Sequence, residues 1–494
     1  MRYYNKLIFF SFTLVTCLSC KKVIEIKETD LLADDVALTL VVNNEQSIIG
    51  AYSSTQIEMG ILLNATLSDE VQVAEFYNAG TTHEWQYGST DVGIRDNFTA
   101  MTPYYRTIDR VNRVLASLPT ADSTRAGDEV LRVRLKGEAL FLKAFSHFEV
   151  FRYYAGNYDP NGLAMPYMES SPADPKTQTA RIKMSEYFTK LNADLAEAKT
   201  LLPTTLPSGE PALARATKLA ASGLQARVAL YMKDWANAIA FSTEYINAIP
   251  LAPINSFYLI WKDSSNAELA FKLPRTASSA ATATAPNTTL PRMGSLFRAT
   301  GSASTIGTIT WRPSNELWNS YDQANDKRFA SYFIVEPKLV GTTRNPRLII
   351  KYTGGPYGAT NENVAAAKVF RTGEMYLIRA EARAESGAVS GANSAESDIN
   401  ALRTARITGY TPVTFASKQV AIDAIVLERF KELAYEGHRF WDLKRRGLPV
   451  DRLPTDAPTT NAAILPAGDY RFLLPIPDTE MKANSLMVQN PGYN

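Results

Sequence analysis

Residues 131–155, LRVRLKGEALFLKAFSHFEVFRYYA, constrain the fold more than any other part of the chain. The segment begins with alternating arginines and, after Glu138, becomes apolar nearly all the way round a helix. A helix of that kind has no face to offer water, so other helices must surround it. The neighbouring sequence supplies them. In YYRTIDRVNRVLASLP, Ile108, Val111, Val114, Leu115 and Leu118 recur at three- and four-residue steps, and Pro119 ends the stripe. YFTKLNADLAEAKTLLP predicts a helix running up to Pro203.

Residues 215–250 predict two helices with a break at Lys233-Asp234. Ala220, Ala221, Gly223, Ala226 and Ala229 line the first, which lets helix backbones approach closely. The Ala226-x-x-x-Leu230 step and Trp235 at the start of the second give a degenerate tetratricopeptide-like unit. GEMYLIRAEARAESG and SAESDINALRTARI give a similar pair. Gly387 closes its first helix, and Ser394 or Ser397 opens the second. The expected fold class is therefore mainly α: three or four stacked helix pairs, interrupted by a long insertion. The insertion, KLPRTASSAATATAPNTTLPRMGSLFRATGSASTIGTIT, is rich in Ser, Thr, Ala, Gly and Pro. Aromatic segments, FYLIWKD and WRPSNELWNSYD, bracket it, and RLIIKYTGG reads as a short strand. An irregular loop-rich lobe with short strands, packed on the helices, is expected here rather than a disordered linker.

The two cysteines, Cys17 and Cys20, stand as C-x-x-C at the N-terminus. A redox pair needs a folded scaffold, and zinc needs two further ligands. The three histidines, His83, His147 and His438, are scattered, and no third cysteine exists. Arg2 and Lys6 precede an apolar stretch from Leu7 to Leu18, which is a secretory signal too short to span a bilayer. Leu18-Ser19-Cys20 resembles the lipobox of bacterial lipoproteins, in which the signal is cut before the cysteine and that cysteine carries acyl chains. Residues 1–19 are thus the expected signal peptide, Cys20 the lipidation site and residues 20–43 a leash. Several acyl chains, at about 0.8 kcal/mol per buried methylene, anchor stably. Losing Arg2 and Lys6 takes the formal charge from +2 to zero, which argues against nucleic acid.

Three further stretches carry a family resemblance. They are VFRTGEMYLIRAEARAESG with Asn400-x-x-Arg403, ERFKELAYEGHRFWDLKRRG at 428–447, and FLLPIPDTEMKANSLMVQNPGY near the end. Together with the lipobox they resemble the SusD/RagB family of outer-membrane nutrient-binding lipoproteins. The resemblance implies a helical region over 44–255 with an early ligand-lobe loop at about 64–103. It implies a C-terminal region over 256–494, divided into a lobe at about 256–365 and a repeat and closing segment at about 366–494. It also implies a surface lipoprotein that captures oligosaccharide and passes it to a SusC-like TonB-dependent transporter. Relatives of the RagB type take peptides instead.

No H-E-x-x-H, G-x-S-x-G, Walker loop or metal-ligand cluster is present, so no enzyme, metal or cofactor is expected. A glycosidase needs only two carboxylates on different elements, and a pure protein-interaction scaffold is the remaining class. Glu432 and Glu436 sit four apart on one expected helix. They therefore project side by side and belong to an ion-paired helix, not to a pair flanking a scissile bond. Asp442 is expected to pair with Arg445 or Arg446. Sugar capture needs several aromatic rings on a rigid support. Two clusters offer them, Trp85 and Tyr87 with Arg95 and Asn97, and Trp311 with Trp318 and Tyr321. Trp85 is favoured because glycine and polar residues surround it. Trp318 and Tyr321, three apart, also suit a buried helix face. Asp69-Glu70 offers either hydroxyl acceptors or a solvated pair.

Overall fold

In the computed structural model the described residues are 37–75, 82–91, 101–171, 177–277, 292–297, 306–307 and 309–493. Helices α1 (Val41–Ser54), α2 (Glu58–Leu67), α3 (Met101–Ser117), α4 (Asp128–Tyr154), α5 (Met184–Leu201), α6 (Lys218–Met232) and α7 (Trp235–Ala248) come first. α4 is the 27-residue helix, and from Gly137 onward every one of its residues is buried. α1, α3 and α5 pack around it, and α5, α6 and α7 follow as successive neighbours. Gly137 marks the closest approach, since a Cβ there would lie 3.0 Å from Leu201 Cβ and 3.1 Å from the Leu202 amide nitrogen. The break between α6 and α7 falls where expected. Lys233 takes a left-handed conformation, and Asp234 caps α7 by accepting the Asn237 N–H.

α8 (Thr372–Glu385) packs directly on α7, so the stack continues in space across the inserted lobe. α9 (Ala395–Thr404) and α10 (Lys418–Glu432) complete this end, and α11 (Arg439–Arg446) turns back toward α2. Ser394 is the N-cap of α9, and Ser397 closes a reciprocal capping box with it. The expected mainly α architecture is present. The strands are few and short: β1 (Val71–Val73), β2 (Leu269–Leu273), β3 (Trp311–Pro313), β4 (Phe333–Val335), β5 (Arg347–Ile349) and β6 (Ala367–Arg371). They pair antiparallel as β1–β3, β2–β6 and β4–β5. The β2–β6 ribbon joins the lobe to the array, because β6 lies against α6 and leads straight into α8.

One expectation fails. Residues 428–447 do not form a continuous helix. α10 stops at Glu432, Tyr435 adopts φ 60° and Gly437 φ 80°, and α11 starts only at Arg439. Tertiary contacts explain the break, because the Tyr435 N–H donates to Glu70 at 2.9 Å and its hydroxyl to the Glu70 carbonyl. Gly437 is therefore needed for its left-handed backbone rather than for close packing of a helix face.

Candidate ligand-binding lobe

Glu432 holds the lobe to the array. Arg406 reaches its carboxylate at 3.0 Å, Arg328 at 3.0 Å, and Arg371 also bonds it. Arg406 bridges on to Glu268 at 2.7 Å, and Arg371 binds Glu436 through two nitrogens, each at 2.7 Å. Lys351 adds a 2.7 Å bond to Glu436 and lies about 4 Å from the ring centroids of both Trp261 and Tyr332. Burial alone would raise Glu432, but the guanidiniums of Arg406, Arg371 and Arg328 outweigh it and hold its carboxyl far below the usual range. Glu436 is likewise lowered, burial being overcome by Arg371 and Lys351. Neither carboxylate can act as a proton donor, and both are nearly sealed from solvent. The ion-paired reading of Glu432 and Glu436 therefore holds, although their partners are distant in sequence rather than one turn away. Asp442 does pair with Arg445, and Arg429 is its second partner.

The outer part of the lobe is built on β1–β3 and β4–β5, with β3 beside β5. A small separate core of Ile306, Ile309, Leu339 and Leu348 lies between them, with Ile334 and Tyr357 packed on it. Glu75 ties the outer strands by accepting from Arg312 at 2.6 Å and from Arg344.

Four of the rings expected to touch ligand lie inside the protein instead. Trp85 is 1% exposed, its indole N–H donates to the Leu67 carbonyl at 2.9 Å, and the Arg452 guanidinium covers its face at 4.1 Å. Arg452 itself donates to the carbonyls of Thr66, Ser68, His83 and Ala462. The glycine and polar residues near Trp85 are thus a loop wrapped around a buried arginine, not the rim of an open site. Tyr87 is buried, bonds the Arg471 carbonyl and stacks on Tyr493. Trp318 is buried edge-on against Phe329 and beneath Arg347, and the buried Tyr321 donates to the Lys431 carbonyl at 2.7 Å. Asp69 and Glu70 are buried too, Asp69 gripping Arg439 through two bonds of 2.8 and 2.6 Å. Arg95, Asn97 and Cys20 lie outside the described residues.

Trp311 differs. It stands on β3, half-buried, with the His83 ring edge-on at 4.9 Å. On the same lobe an open groove of about 310 Å³ runs between Lys262 and the Thr353–Tyr357 loop, with Ile334 and Ile350 forming its floor. Tyr357 walls it, half-buried, with its hydroxyl donating to Glu336 at 2.7 Å. Tyr258, 50% exposed, precedes Lys262 by one turn. Tyr357 was overlooked in the sequence because it follows the strand-like RLIIKYTGG. The Gly-Gly-Pro-Tyr-Gly run at 354–358 was the available signal, an aromatic held in a tight turn.

Comparison with known proteins agrees with this architecture. Residues 340–493 match the model of the SusD family, and residues 30–230 match a family described as starch-binding, associating with outer membrane. A SusD-like protein of Formosa agariphila is 22% identical over 99% of each chain. A SusD superfamily protein of Bacteroides thetaiotaomicron superposes with a TM-score of 0.77 at 21% identity, covering 92% of this chain and 100% of that one. A laminarin-binding SusD-like protein superposes with a TM-score of 0.71 at 20% identity, covering 92% and 99%.

Proposed function

We propose, since the chain belongs to the SusD/RagB family, that it is a glycan-binding lipoprotein of the outer membrane that captures oligosaccharide without cleaving it. It is anchored through acylated Cys20 and hands its ligand to a SusC-like TonB-dependent transporter. The lobe supports the reading most: a half-buried tryptophan and an open, tyrosine-walled groove lie on one loop-rich surface outside the helical stack. Trp311 is the expected stacking platform. Arg95 and Asn97 belong to the same proposal as hydroxyl partners.

Isothermal titration of an oligosaccharide panel and a peptide panel, with product analysis of the same samples, tests this. Saccharide binding with no turnover is expected. Trp311→Ala is expected to weaken it about tenfold, the worth of one aromatic contact of about 1.5 kcal/mol. Turnover, or binding of peptides alone, would overturn the reading. Cys20→Ala is expected to move the protein from the washed membrane fraction to the soluble one. Retention on the membrane would remove the anchor assignment.

A further inference from the structure

We infer that the groove between Lys262 and the Thr353–Tyr357 loop holds an anionic sugar unit, a ring bearing a carboxylate or a sulfate ester. The inference rests on the glycan-binding reading above and names the chemistry of one subsite within it. At about 310 Å³ the groove sits at the small end of ligand sites, which span roughly 300–1,000 Å³. Its lining offers one aromatic wall, Tyr357, one hydroxyl, Thr353, and one charged group, the Lys262 ammonium, which lies 3.4 Å from the Thr353 hydroxyl. No carboxylate or carboxamide lines it.

The carboxylates nearby are turned to other partners. Glu336 accepts from the Tyr357 hydroxyl at 2.7 Å and from the Lys338 N–H. Asp263 takes the Lys368 ammonium and the Ala366 N–H, both at 2.8 Å. Glu362 accepts the Gly358 N–H at 2.8 Å. A second ammonium, Lys338, stands 4.5 Å from the Tyr357 ring centroid.

A neutral sugar presents hydroxyls that both donate and accept, and sites for it need side-chain acceptors. An ammonium only donates, and its strongest partner is an anion. The groove therefore complements a ring whose substituent carries negative charge, with Tyr357 against the ring face and Lys262 on the anion. The wall is already in place. Gly354 sits at φ 58°, a Cβ there would be 2.1 Å from the Val364 carbonyl, and one on Gly355 would be 2.0 Å from the Asn361 side-chain oxygen. This bracing leaves little ordering to be done on binding.

The test is titration of the full chain with an oligogalacturonate, its methyl ester and a sulfated galactose oligosaccharide, at low and high salt. The acidic forms are expected to bind at least tenfold more tightly than the ester at low salt. The preference should shrink as salt screens the charge. Whichever anion binds more tightly identifies the substituent. Lys262 is exposed, so Lys262→Gln leaves the fold intact. It is expected to abolish the preference while changing affinity for the ester less than twofold. Equal affinity for acidic and esterified forms, or a preference that survives in Lys262→Gln, would overturn the groove assignment and leave glycan binding standing. Failure to bind any saccharide would overturn both.

Discussion

Glu70 is wholly buried, and its Oε1 accepts the Tyr435 N–H at 2.9 Å. Burial pushes its carboxyl up from 4.5 to about 8, against the Tyr435 bond and with a further rise from Asp69. Between those two values the folded protein holds a proton that the unfolded chain has released. Stability from this group is therefore full below about pH 4.5 and is lost as pH rises through 8. Glu70→Gln keeps the acceptor for Tyr435 and cannot ionise. The variant is expected to gain on the wild type progressively from pH 5 to pH 8.5, by a few kcal/mol at most. Urea midpoints measured across that range decide the matter, and parallel curves for the two proteins would refute the assignment. At the same scale, the sequence could show Trp85 among glycines but not the arginine that covers it. Arg452 is far away in the chain, and burial by a distant residue leaves no local pattern.

Strand β6 rests on helix α6 at Gly223, where an added Cβ would lie 2.9 Å from the Phe370 ring. Phe370 is itself fixed edge-on to Phe145 and beneath Arg227, so it cannot move aside cheaply. Gly223→Ala is expected to cost about 1–3 kcal/mol by overpacking. Gly50, inside α1 with nothing within 4 Å of its added Cβ, is the control. Gly50→Ala is expected to be neutral or to stabilise by up to about 1 kcal/mol. A loss at Gly50 as large as that at Gly223 would show that helix propensity, not contact, decides these sites. The helices were legible because each carries its own periodicity and caps, as in the Lys233-Asp234 break and the Ser394–Ser397 box. Residues 428–447 misled for a related reason. Their charges repeat at helical spacing, yet Glu432 pairs with Arg371, Arg406 and Arg328, and Tyr435 leaves the helix to bond Glu70. Spacing shows what a helix permits, and only the tertiary partners decide whether one forms.

For the whole molecule, the question is whether lobe and array unfold together. The array is spatially continuous, α8 lying on α7, while the lobe is inserted between them in sequence. The two meet at a buried ionic hub. Arg328, Arg371, Arg406, Arg403 and Lys351 face Asp326, Glu268, Glu428, Glu432 and Glu436, with Glu432 taking three of the arginines. The charges balance, so the hub is tolerated inside the protein only while it is complete. Removing one member strands its partners without water, at a cost of about 3–5 kcal/mol. Glu432→Gln is therefore expected to lower stability by that order. Because its partners belong to both bodies, it should lower both at once. Far-UV circular dichroism reports mainly the helices, and tryptophan fluorescence includes Trp261, Trp311 and Trp318 of the lobe. The two melting curves are expected to coincide in the wild type and to shift together in Glu432→Gln. If the fluorescence curve moves while the helical signal stays in place, the hub braces the lobe alone. The groove would then sit on a separately melting unit rather than on a support as rigid as the helical stack.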